Sequence, residues 1–209
     1  MQTQVLTRLG DPVGTYYQNS VLDALNEGQR LFCLLTLSLE TTVTFPLAAA
    51  TLCYNCLLTN ANFLLPRRIY NSAGGQLRPA TIAQLQALDS NWMATPGLPT
   101  RYVVRGLDFL GVYPQPAAAD TLTFAYARSP VPMAEPTDVP EIRTASHFAL
   151  VNYASWALRQ PEGGQEFAKF QTYFNEFMDE AQTVAELVKH RTPDTRAESI
   201  PFELARTKR

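Results

Sequence analysis

Phe167, Phe170, Phe174, Phe177, Ala181, Val184 and Val188 follow one another at intervals of three and four. This is an a/d seam held through about three heptads, and it commits the stretch to a helix that buries one face. Each large side chain in such a face contributes roughly 1.5–3 kcal/mol when buried. Tyr173, Met178 and Leu187 widen the stripe. The pattern is that of a helix inside a bundle, and packing within one subunit accounts for it without a second chain.

Two other segments carry helical periodicity. Val21, Leu25, Gly28, Phe32, Leu35 and Leu39 recur at three-to-four spacing, with Asn19 and Ser20 as capping candidates and Asp23 in capping-box position. Gly28 in a helix interior costs about 1 kcal/mol against Ala, which points to another backbone packed closely there. Ala149, Tyr153, Trp156 and Ala157 share one face of a helix from about Thr144 to Arg159, stopped by Pro161, Gly163 and Gly164.

Between these helices the period becomes two. Thr41–Leu47, Leu52–Leu58, Arg67–Ser72, Tyr102–Arg105, Leu107–Tyr113 and Thr121–Ala127 read as strands, and Gly74–Gly75 as a hairpin turn. Thr81–Leu88 reads as a short helix with Thr81 and Gln84 in capping-box relation. Trp92 then anchors a turn at Pro96–Gly97, and Ser129–Pro140 is a proline-punctuated connector.

The predicted fold is α+β: an antiparallel bundle of three main helices, an inserted β-rich, sandwich-like domain and an extended C-terminal tail. The expected divisions are 1–40 with 141–191 for the bundle, 41–140 for the insertion and 192–209 for the tail. A chain of 209 residues suits one domain carrying such an insertion.

Charge narrows the function classes. A formal net charge of −2 argues against a nucleic-acid binder that works by neutralising phosphates. The first lysine is Lys169, and the end of the chain is basic through Lys189, Arg191, Arg196, Arg206, Lys208 and Arg209. That end reads as a solvated terminus or a surface for an acidic partner. The polar start Met1–Gly10 does not read as a secretory leader, and the apolar run around Leu31–Leu39 is too short to span a bilayer. Three cysteines form no disulfide framework and fit a reducing compartment.

Candidate chemistry is sparse. Cys53 and Cys56 have CxxC spacing, but they fall in a strand-like stretch without a second ligand pair, so neither metal nor redox cofactor is expected. Ser146 and His147 are adjacent, and neighbouring helical side chains diverge by roughly 100°. No nucleophile elbow surrounds them. Gly163–Gly164 reads as a helix break rather than a phosphate cradle, and Arg67–Arg68 as an interface or ion-pair element. Trp92 reads as a packing anchor rather than a sugar platform. Asp89, Asp108 and Asp120 are too dispersed to assert a carboxylate pair. No catalytic, cofactor-binding or metal-ligating residue is assigned.

The pattern Leu85…Leu88-Asp89-x-x-Trp92…Gly97-x-Pro99-x-Arg101-Tyr102, then Leu110-x-x-Tyr113-Pro114-x-Pro116, resembles the central block of head-to-tail adaptor (connector, neck) proteins of tailed bacteriophages. The flanks agree: Asp23–Gln29, Tyr126–Pro130 and Glu162–Lys169. The resemblance runs from about Val5 to Leu204. It implies a structural virion neck protein without enzymatic activity, made in the host cytoplasm, with no membrane role. It implies a homo-oligomeric ring, commonly of twelve copies, beneath a portal protein and above a tail or nozzle protein. Double-stranded DNA would pass through the lumen during ejection without sequence-specific binding.

By the same resemblance the C-terminal tail inserts against the portal, with Ile200, Phe202 and Leu204 as apolar anchors and Arg206, Lys208 and Arg209 meeting carboxylates. The other readings are a stopper or tail-completion protein, and a phage tail hydrolase or envelope-binding module.

Overall fold

The computed structural model describes residues 1–56, 61–106 and 108–191, with residues 162, 164–167 and 191 as backbone only. The tail residues Ile200, Phe202, Leu204, Arg206, Lys208 and Arg209 lie outside the described residues, as do Leu57, Leu58 and Leu107 and the side chain of Phe167. The fold is mixed α+β. Helices α1 (Gln2–Leu9) and α2 (Gln18–Thr36) come first. Strands β1 (Glu40–Leu47), β2 (Cys53–Asn55), β3 (Phe63–Tyr70) and β4 (Arg78–Pro79) follow, then α3 (Ile82–Leu88). Next come β5 (Pro96–Gly97), β6 (Arg101–Arg105), β7 (Phe109–Tyr113), β8 (Gln115–Pro116) and β9 (Asp120–Arg128). Helices α4 (His147–Arg159) and α5 (Gly164–Arg191) close the described chain.

One apolar cluster is drawn from four helices. Leu25 and Phe32 of α2, Leu150, Tyr153 and Ala154 of α4, and Phe170, Phe177 and Ala181 of α5 are buried together, joined by Val5 and Leu9 of α1. Phe174 and Val184 pack against this cluster half-buried. Asn152 of α4 donates to Glu176 of α5, and Ser146 just ahead of α4 donates to Glu180. Contacts that advance in opposite directions along the two helices make them antiparallel.

Helix α1 is an addition to the expected elements, because its sequence is mostly polar and short. It is held to the other helices by two guanidinium groups, its own Arg8 and Arg159 of α4. Arg8 donates to Asn152 Oδ1 and lies over the rings of Phe148 and Tyr173 at 4.5 and 4.7 Å. Arg159 donates to the Leu9 carbonyl. Cation–ring contacts of this kind contribute about 0.5–2 kcal/mol each.

The start of α2 corrects the capping expectation. Asn19 and Ser20 lie inside the helix, and its N-cap, Tyr17, makes no side-chain cap bond. The turn before it is organised by Asp11, whose carboxylate accepts the N–H groups of Thr15, Tyr16 and Tyr17 at 2.8–3.2 Å. Gly10 permits that turn by adopting φ +76° at the end of α1.

The strands form a three-stranded sheet in the order β1-β9-β3, a four-stranded sheet β2-β7-β6-β4 and a two-stranded pair β5-β8. Strand β9 alternates as its sequence indicates, with Leu122, Phe124 and Tyr126 buried. Both larger sheets contribute to a second cluster: Phe45, Ile69, Leu122 and Phe124 from one, Tyr102, Leu110 and Val112 from the other. A third, smaller cluster joins Leu85, Trp92, Val103 and Tyr113. The expected hairpin at Gly74–Gly75 reduces to a single bridge, Tyr70 to Gln76, because Arg78–Pro79 turns to pair in parallel with β6.

Candidate assembly site

Four side-chain hydrogen bonds cross the seam between α2 and the connector 129–141. The connector has no helix or strand, so its backbone must find partners elsewhere. Asn26 and Gln29 supply them. Gln29, fully buried, donates to the Val131 carbonyl at 3.2 Å and accepts from the Glu141 N–H at 3.0 Å. Asn26 does the same for both backbone groups of Met133.

The connector is also closed on itself. Arg128 at the end of β9 makes two bonds to the Glu141 carboxylate, at 2.8 and 3.0 Å, and Glu141 accepts the Val131 N–H as well. The guanidinium, first of these contacts, holds the Glu141 carboxyl below its ordinary range. Asp138 accepts the N–H groups of Ala134 and Glu135 at the connector's turn. The result is a strap that runs from β9 to α4 with its ends pinned to one helix.

A second joint lies at the other end of α2. Arg67 of β3, buried, donates to the Leu37 carbonyl at 3.2 Å and sits 3.5 Å from the Glu40 carboxylate. Leu37 caps α2 with φ +50°. The Arg67–Arg68 element therefore separates into a buried joint and an exposed cation.

The loop 10–17 is exposed at its tip: Val13 and Tyr16 are 85% and 84% accessible, although Asp11 fixes the backbone beneath them. Three accepted N–H bonds lower the Asp11 carboxyl, chiefly through Tyr16.

Most of the groups weighed for chemistry are occupied structurally. Ser146 Oγ donates to Glu180, and the His147 ring contacts the Ile142 carbonyl at 3.1 Å, so the pair does not face a common point. Cys53 is exposed while Cys56 is buried, its thiol pushed up to about 11 by burial. Trp92 is buried against Leu85 and Tyr113. Asp89 accepts from Thr95, Asn91 and Tyr113 and so fixes the turn behind Trp92. Asp120 accepts from Ser72. Among the described residues no three His, Cys, Asp or Glu side chains are placed to share a metal ion, and no helix is long and apolar enough to cross a membrane.

Asn26 and Gln29 were visible in the sequence only as part of a motif. The signal that could have found their role is their spacing: three apart on a helix, they present two carboxamides on one face. A family model described as SU10 adaptor protein matches residues 1–197. No curated protein matches the chain.

Proposed function

This chain belongs to the SU10 adaptor protein family, phage head-tail adaptors with a structural rather than an enzymatic role, and on that premise we propose that it builds a ring beneath the portal. The ring connects head to tail and extends the channel through which DNA leaves. The observation that carries this reading is the reach of the family match, from α1 through the strands and into the residues beyond α5.

The arrangement supports a working division into a helical body (1–40 and 141–191), a β-rich insertion (41–140) packed in sandwich fashion, and a tail (192–209). What favours it is that the buried side chains of the helices and those of the sheets form separate clusters. The strap and the Arg67 joint are then the two connections that carry load between body and insertion. A net charge of −2 suits a channel wall that lets DNA pass, since a strongly basic lumen would bind the phosphate backbone and retard it.

In this reading the tail reaches the portal through Ile200, Phe202 and Leu204, with Arg206, Lys208 and Arg209 against carboxylates. The isolated chain, whose helices already close an apolar core, is a monomer and forms its ring, of about twelve copies, only on the portal. Pull-down on purified portal tests this: the full chain is retained, and deletion of 192–209 abolishes retention. Retention of the truncated chain at full level refutes the role given to the tail.

A further inference from the structure

We infer that a cleft beside the last turns of α5 is the docking site of the chain's own C-terminal segment, which lays Ile200 and Phe202 into it. The inference goes beyond the adaptor reading and does not depend on it, because it concerns the free chain.

Helix α5 outruns the helices that cover it. Ser146, at the start of α4, lies level with Glu180, and α2 has already ended at Thr36. Ala181 and Ala185 are still buried, but Val184 is only half-covered and Leu187 is 52% exposed. The apolar row therefore continues past its partners. Beside it is a cleft of about 230 Å³ lined by Ser38, Arg143, Ala145, Val184 and Leu187, among others. This is below the roughly 300–1,000 Å³ of pockets that house small molecules, and suits a few side chains of a peptide.

The chain itself supplies a fitting occupant. The described part of α5 reaches Arg191, about one turn beyond Leu187. Pro193 and Pro201 oppose continuation of the helix. Ile200 is close enough in sequence to fold back, since an extended chain spans about 3.3–3.6 Å per residue. Ile200, Phe202 and Leu204 stand at alternate positions, so an extended segment presents all three on one face. Arg143, exposed on the rim, has no ion pair among the described residues, and Glu198 and Glu203 flank the apolar run. Tethering raises the local concentration of the segment to the millimolar range, so even a weak site is filled within one chain. A partner that takes hold of this segment competes with the cleft for it.

The test uses the full chain with Phe202 replaced by the photo-crosslinking residue p-benzoylphenylalanine, in a mixture of light and isotopically heavy protein. The expected adduct joins position 202 to Ala145 or to residues 184–188 within a single chain. Leu187→Glu and Arg143→Glu, both at exposed positions, cut its yield fivefold or more, whereas Gln182→Glu on the outer face leaves it unchanged; near-ultraviolet circular dichroism confirms that each variant is folded. Adducts that join light to heavy chains, adducts elsewhere on the surface, or an undiminished yield in folded Leu187→Glu overturn the inference.

Discussion

The carboxamide of Asn26 closes on both backbone groups of Met133: Nδ2 donates to the carbonyl at 2.9 Å, and Oδ1 accepts the N–H at 2.8 Å. A side chain thus stands in for a neighbouring strand, and the strap gains a partner that its own sequence, broken by four prolines, cannot provide.

Replacing Asn26 by Leu leaves a donor and an acceptor of Met133 unpaired against α2. Each such group costs about 1–3 kcal/mol when it is cut off from water, and partial solvent access puts the expected loss near 2 kcal/mol. Denaturant titration checks it, and hydrogen exchange should show the Met133 amide losing protection first. A variant as stable as the parent would remove the strap from the account.

Gly28 faces the ring of Tyr153, and a Cβ built there would lie 2.8 Å from Cδ1. The ring cannot retreat, since it is packed against Trp156 and Phe177 at 5.6 and 5.1 Å between centroids. Gly28→Ala gains about 1 kcal/mol of helix propensity and loses about 1–3 kcal/mol to overpacking. Net destabilisation is expected, with recovery in the double variant Gly28→Ala, Tyr153→Leu relative to Tyr153→Leu alone. A stabilised Gly28→Ala single variant would contradict the packing.

Acid weakens the fold through the carboxylates that organise its loops. Asp11 is lowered chiefly by the Tyr16 N–H, Asp138 by the Glu135 N–H and Glu141 by the Arg128 guanidinium. A carboxyl whose folded pKa lies below its unfolded value stabilises the protein above that unfolded value, and the contribution is lost as pH falls through the folded one. Stability should therefore decline below about pH 4.5. Asp11→Asn and Glu141→Gln should each flatten the decline, measured as denaturant midpoint against pH. Slopes identical to the parent's would refute the assignment.

The thiols should divide one against two. Burial pushes Cys33 up to about 12 and Cys56 up to about 11, and both are inaccessible, whereas Cys53 is exposed. A disulfide reagent at pH 8 should modify one thiol per native chain and three after unfolding. Two fast thiols in the native protein would show that Cys33 or Cys56 is open to solvent.

Periodicity made the long elements legible. The short helix α3 carries the capping box that Thr81 and Gln84 announce, and β9 keeps the alternation of Leu122, Phe124 and Tyr126. Helix α1 escaped because two arginines and a few apolar contacts hold it, and no window of eight mostly polar residues displays that. The α2 start was misplaced because Asp11 does from a distance what Ser20 was expected to do locally. The close approach at Gly28 was visible in the sequence, but its partner, an aromatic ring rather than a backbone, was not. The joints at Asn26, Gln29 and Arg67 pair residues tens of positions apart, and single-residue chemistry does not specify such partners.

Electron-microscopic imaging of purified portal mixed with this chain decides whether the chain builds a ring on the portal. The expected image is a closed ring of the chain coaxial with the portal, its central opening continuous with the portal channel and its 192–209 segments against portal subunits. Portal particles without added density, or copies attached singly away from the axis, would contradict it.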